Sequence, residues 1–137
     1  MIFQTLTTSF KVEVLSGVHD LLTDTIKLAL YSDAADLGAA TTVYSATNET
    51  SGTGYSAGGV TLTGVTINSS NGVAYVNFNN AVWNPATFSA AGGLIYNASK
   101  SNKSIAVLSF GATKIATNTF TVVMPTNSYN SALIRFG

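Results

Sequence analysis

Apolar and polar residues alternate along most of the chain after residue 24, and this period of two is typical of β-strands. In residues 25–31, three branched aliphatic residues alternate with Lys27, Ala29 and Tyr31. Successive side chains of a strand point to opposite faces, so the aliphatic residues share one face. The pattern predicts a strand that is buried on that face and exposed on the other.

A hairpin is predicted in the middle of the chain, where residues 60–67 and 73–78 flank residues 68–72. Asn71 and Gly72 tolerate the positive φ angles that tight hairpin turns require. Pro85 and Pro125 are expected to end the strands before them, because proline has no amide hydrogen and a fixed φ. Further short strands are predicted over residues 42–44, 81–83, 92–96, 105–110, 119–124 and 132–136.

Only residues 10–16 indicate a helix, with Ser9 as the predicted cap and Gly17 as the predicted end. Eight or nine short strands with almost no helix between them predict an all-β chain folded as an antiparallel β-sandwich. Jelly-roll and immunoglobulin-like topologies both fit. The 137 residues suffice for one core. We therefore predict an N-terminal arm with a short helix over residues 1–24 and a single β-sandwich domain over residues 25–137.

The segment 32–59 is rich in Ala, Thr, Ser and Gly and is too long for a simple connection. Unstructured loops of that length in compact domains are usually functional. Its glycines lack the Gly-Lys-Ser/Thr ending of a phosphate-binding loop and the spacing of a dinucleotide fingerprint. We predict a flexible or closely packed loop with Tyr55 as its one large anchor.

Composition restricts the function further. Charged residues make up only 9% of the chain, the formal net charge is zero, and Ser, Thr and Asn together supply 46 residues. Without a basic stripe, nucleic-acid binding has little physical support. A low content of charged residues is typical of surfaces that contact other proteins. It is equally compatible with an ordinary β domain that has no such contact. The chain has no cysteine, no recognisable signal peptide and no membrane-spanning run, so we expect neither disulfides nor membrane insertion.

The residues that could carry chemistry are few. The single histidine, His19, has Asp20 and Asp24 nearby in sequence, yet no Gly-x-Ser-x-Gly nucleophile motif is present. The carboxylate pairs Asp33/Asp36 and Asp24/Glu49 could mimic a glycosidase pair, but isolated aspartates are more often turn and cap residues. We therefore expect no catalytic residue, no cofactor and no metal site.

Segments spread over nearly the whole chain resemble a family of small virion structural proteins of tailed phages, including marine and cyanobacterial phages. These segments are residues 9–19, 26–31, 40–44, 48–55 with Gly58 and Gly59, 83–88, 94–97, 107–111 and 134–136. The resemblance implies a capsid decoration (cement) protein on the virion surface, made in the host cytoplasm. It implies the major capsid protein as partner and a homo-oligomer, with a trimer favoured. A head or tail adhesion module that binds a glycan or receptor is the alternative.

The contact residues are predicted from the apolar N-terminal segment, which has no obvious place in a two-layer core. We predict that Ile2, Phe3, Leu6 and Phe10 contact the capsid or neighbouring subunits, with Tyr55 as a second contact in the long loop. The competing interpretation is that this segment packs on its own domain.

Overall fold

Ten β-strands and one short helix follow one another along the chain. A computed structural model describes residues 1–137 and shows an all-β, antiparallel, sandwich-like fold with a short N-terminal helix, so the predicted fold class is confirmed. The elements are β1 (Thr5–Leu6), α1 (Thr8–Leu15), β2 (Ile26–Tyr31), β3 (Val60–Thr61), β4 (Thr66–Ser70), β5 (Val73–Asn77), β6 (Ala81–Trp83), β7 (Phe88–Asn97), β8 (Lys103–Ala116), β9 (Phe120–Val122) and β10 (Ile134–Phe136).

The strands form three sheets in which every strand pair is antiparallel. The main sheet has the order β1-β8-β7-β2-β3, and two smaller sheets have the orders β10-β5-β4 and β6-β9. A core of 22 buried residues draws side chains from all three sheets and from α1. This core is the interior of the sandwich.

The main sheet is also covered on its second face. Ala29 and Tyr31 of β2 belong to a separate buried cluster that includes Ala35 and Leu37 from the segment 32–59. The prediction that β2 is exposed on one face is therefore wrong, because the long segment folds back over that face. Lys27 alone among the residues of β2 remains partly exposed.

The middle hairpin is tighter than predicted. Ser70 pairs with Val73, so the turn between β4 and β5 contains only Asn71 and Gly72, with φ angles of 53° and 77°. Positive φ at both positions is the geometry of a type I′ turn, which matches the twist of the flanking strands. The predicted strand 60–67 is divided, because β3 joins β2 in the main sheet while β4 pairs with β5.

The N-terminal residues are part of the same fold. Helix α1 begins at Thr8, and the hydroxyl of Thr7 accepts a hydrogen bond from the Phe10 amide at 3.3 Å, so the predicted Ser9 cap is wrong. Strand β1 pairs with β8, and Phe10 is fully buried in the main core. The predicted arm, residues 1–24, thus packs on the same core as residues 25–137.

The later strands lie where the sequence predicts, with different lengths. Strands β7 and β8 extend on both sides of the predicted segments 92–96 and 105–110, and their register shifts between Ala90 and Gly92. Strand β6 ends at Trp83, directly before the cis peptide bond to Pro85. The predicted strand 42–44 is reduced to one bridge, between Val43 and Lys103. No helix is long and apolar enough to cross a membrane.

Candidate functional site

The five predicted contact residues occupy different environments. Phe3 is 60% exposed, whereas Ile2 and Leu6 are half-buried and pack against the two apolar clusters. Phe10 is 0% exposed, and its ring lies 5.1 Å from that of His19. The ring of Phe10 is enclosed by its own chain, in the way that the competing interpretation describes, and a contact of Phe10 with a partner stays a prediction.

Large apolar side chains are nevertheless exposed at a high frequency near the N-terminus. Five of the twelve in the whole chain lie within the first 22 residues: Met1, Phe3, Val12, Leu15 and Leu22. Val12 and Leu15 are three positions apart in α1, so they share a face of the helix. We call these two residues the outer face of α1. The sequence contains a signal for this face, because α1 carries apolar residues on the side opposite Phe10 as well as on the side of Phe10.

Tyr55, the fifth predicted contact, anchors the long loop to the main sheet. Its hydroxyl oxygen accepts a hydrogen bond from the Leu30 amide at 2.9 Å and donates to Oε2 of Glu49. Its ring packs against Trp83 and Phe88, with centroid distances of 6.3 and 5.6 Å. Tyr55 is therefore the loop anchor that the sequence predicts, and both its ring and its hydroxyl already make contacts within the chain.

Glu49 is the centre of a cluster of tyrosines. Its Oε1 accepts from the hydroxyl of Tyr44 at 2.6 Å, and its Oε2 accepts from Tyr55 and from the amide of Gly58 at 2.8 Å. The hydroxyl of Tyr96 donates to the Gly58 carbonyl at 2.7 Å. Burial first, and then the Glu49 carboxylate, raise the pKa of Tyr44, Tyr55 and Tyr96 above its ordinary value.

A second cluster surrounds His19. The amide nitrogen Nδ2 of Asn97 lies 3.0 Å from Nδ1 of His19 and donates to Asp24 Oδ2 at 2.7 Å. Asn97 Oδ1 accepts from the Ser99 amide, which fixes the orientation of this side-chain amide. Because Asn97 Nδ2 can only donate, His19 Nδ1 accepts and Nε2 carries the proton that points to Glu13 Oε1, 3.0 Å away.

Asp24 is held as a carboxylate in this cluster. Burial alone would raise its pKa, but hydrogen bonds from Asn97, from the Asp20 amide and from Lys100, with the charge of Lys100, outweigh burial and lower the pKa to about 2. The Lys100 Nζ atom lies 3.0 Å from Oδ1 and 3.1 Å from Oδ2. Asp24 thereby connects the residues before β2 to the turn after β7.

The central titratable group of each cluster is already bonded within the chain. Both ring nitrogens of His19 have partners and its side chain is 0% exposed, while both oxygens of Glu49 accept hydrogen bonds. Asp24 and Glu49, a carboxylate pair considered from sequence, belong to separate clusters. No group of three or more His, Asp or Glu side chains is arranged to hold a metal ion. Both clusters join distant segments of the chain.

The largest cavity, of about 540 Å³, lies between Phe3 and the first part of the long loop. Residues 34–48 supply most of its lining, and these are chiefly Ala and Thr. Asp36 is the only charged residue in the lining, and its side chain is almost fully exposed. The hydroxyl of the buried lining residue Tyr31 already donates to the Ser45 carbonyl at 2.6 Å, so that donor is used within the chain.

Comparison with known proteins gives no relatives: no family model, no curated protein and no solved structure matches this chain.

Proposed function

We propose that this chain is a structural virion protein, a capsid decoration (cement) protein that bridges and stabilises major capsid subunits. The resemblance of its sequence segments to small tailed-phage virion proteins supports the proposal. The structural observation that carries it is the concentration of exposed large apolar side chains in the first 22 residues of a chain with only 9% charged residues. Apolar surface with few charges is what a subunit contact requires.

The outer face of α1 is the contact that we assign to the capsid, in place of the buried Phe10. Leu15 is 90% exposed and Val12 is 61% exposed, so covering them removes apolar surface from water. At about 25 cal/mol per Å² of apolar area, a contact of a few hundred Å² contributes several kcal/mol before the cost of association. Repeated over many sites on a pressurised shell, such contacts resist separation of the capsid subunits.

The experiment has two stages, both on the full chain. Mass spectrometry of purified particles from the source virus should detect the chain as a stoichiometric component. Purified chain should then rebind particles depleted of it, and Val12→Ser with Leu15→Ser should reduce rebinding at least tenfold. The matched control is Ile115→Ser with Val123→Ser, which changes two exposed aliphatic residues outside α1 and should leave rebinding unchanged. Absence of the chain from intact particles would refute the proposal.

The alternative, a glycan- or receptor-binding module, needs a platform of exposed aromatic rings. Trp83, the only tryptophan, is 4% exposed and packs against Phe88 and Phe120 in the core. The exposed aromatic residues are Phe3, Tyr129 and Phe136, and two of these are only just above one third exposed. We therefore favour the decoration protein.

A further inference from the structure

Part of each edge of the main sheet is covered by short segments of the same chain. Along the outer edge of β8, the Ser104 amide donates to the Thr42 carbonyl at 3.0 Å. The Thr7 amide donates to the Ile105 carbonyl, also at 3.0 Å. Along the outer edge of β2, the Thr50 amide donates to the Leu30 carbonyl, and β3 pairs farther along. Proteins protect sheet edges in this way because unpaired backbone groups bind other strands.

Strand β4 is an edge without such protection. All five residues of Thr66–Ser70 are exposed, and the strand contains no charge, no proline and no bulge. Because Ser70 and Val73 flank a two-residue turn, they form a hydrogen-bonded pair, and such pairs alternate along the hairpin. The N–H and C=O groups of Ile67 and Ser69 therefore point away from β5, and no backbone group outside the hairpin binds them.

We propose that β4 pairs with β4 of a second copy of this chain, antiparallel about a twofold axis at Asn68. In this register Ile67 of one copy faces Ser69 of the other, and the two pairs exchange four backbone hydrogen bonds. Asn68 faces Asn68 of the second copy in a pair without backbone hydrogen bonds. The contact continues the β10-β5-β4 sheet of one copy into that of the other, giving six strands.

A second copy fits this edge for two reasons. An antiparallel edge is complementary to itself under twofold rotation, so one strand supplies both halves of the contact. The strand is uncharged and the chain has a formal net charge of zero, so two copies meet without electrostatic repulsion. Five paired residues make a small interface, so the association depends on concentration. This inference does not depend on capsid binding, and a twofold contact differs from the trimer that the resemblance implies.

A single engineered cysteine tests the register, because the natural chain contains none. In Asn68→Cys, the two cysteine Cα atoms face each other at about 4.5 Å, within disulfide range. Oxidation at high protein concentration should convert most of the chain into a covalent dimer. In the control Ser70→Cys, residue 70 of one copy faces residue 66 of the other. The two cysteine Cα atoms are then offset by four residues along the strands, about 13 Å, and no covalent dimer should form. Equal cross-linking of the two variants would refute the proposed register.

A proline tests the edge itself. Ser69→Pro removes an N–H that points away from β5 and leaves the β4–β5 bonds intact, as proline on an edge strand permits. In sedimentation equilibrium, the natural chain and Ser69→Ala should shift from monomer to dimer as concentration rises, whereas Ser69→Pro should stay monomeric. Circular dichroism of Ser69→Pro checks that it folds. A natural chain that stays monomeric, or an oligomer that Ser69→Pro does not weaken, would overturn the proposal.

Discussion

The hydroxyl of Tyr55 takes the position of a strand carbonyl on the edge of the main sheet, where it accepts the hydrogen bond of the Leu30 amide at 2.9 Å. The backbone of the long loop pairs with β2 at Glu49 on one side of this point, and β3 pairs with it on the other. One side chain thus closes the gap between two backbone contacts. The hydrogen bond of Tyr55 thus helps to hold the long loop, residues 32–59, against the main sheet.

Replacing this hydroxyl should destabilise the fold. Tyr55→Phe leaves the buried Leu30 amide without an acceptor and removes one donor to Glu49, so the free energy of unfolding in urea should fall by about 1–3 kcal/mol. Tyr129→Phe is the control, because the Tyr129 side chain is exposed and makes no hydrogen bond within the chain; its unfolding free energy should change by less than about 0.5 kcal/mol. Equal losses in the two variants would contradict the role of Tyr55.

Alkaline pH should weaken the fold through four tyrosines whose hydroxyls the folded chain keeps protonated. The folded state raises the pKa of Tyr31, Tyr44, Tyr55 and Tyr96 above the ordinary value of about 10, through burial first and the Glu49 carboxylate second. Above pH of about 10 the unfolded chain loses these protons while the folded chain keeps them, so the free energy of unfolding decreases as pH rises. Tyrosinate absorbance should therefore appear together with the loss of circular dichroism. Tyrosinate formation from all six tyrosines in a still folded chain would contradict this expectation.

Acidic pH should weaken the fold through Asp24. Its pKa is lowered to about 2 in the folded chain, so its contribution is complete above pH of about 4 and is lost as pH falls toward 2. We expect this contribution to be about 1–2 kcal/mol, with allowance for screening of the partly exposed Lys100. Asp24→Asn should be less stable at pH 7 and should lose less stability between pH 4 and pH 2. A variant with the same acid dependence as the natural chain would show that other carboxylates are responsible.

The close approach of Gly59 to β2 should be intolerant of any side chain. An alanine Cβ at Gly59 would clash with the Leu28 carbonyl oxygen, whereas a Cβ at Gly17 would meet nothing within 4 Å. The two glycines have similar φ angles of 80° and 76°, so the left-handed backbone costs each alanine variant about 1–2 kcal/mol. Thermal unfolding should show a far larger loss for Gly59→Ala, because β3 can no longer reach β2. Similar losses would mean that φ alone matters.

Local patterns determined much of the fold from sequence. Alternation identified β2, β5 and the centres of β7 and β8, and Asn71-Gly72 identified a turn whose positive φ angles such residues favour. These features depend on residues close in sequence, where side-chain periodicity and backbone sterics act directly. The candidate site was less accessible, because Asn97 and Glu13 meet His19 from segments 78 and 6 residues away.

Long-range packing decided the rest. The alternation of β2 correctly separates two faces, but only the folded chain shows that the segment 32–59 covers the second face and that Phe10 belongs to the core. The sequence by itself determined the approximate positions of most strands, the turn at Asn71 and Gly72, and the low charge of the chain. The tertiary structure decided which apolar residues remain exposed and that the edge of β4 stays open, because burial depends on surfaces brought together from distant parts of the chain.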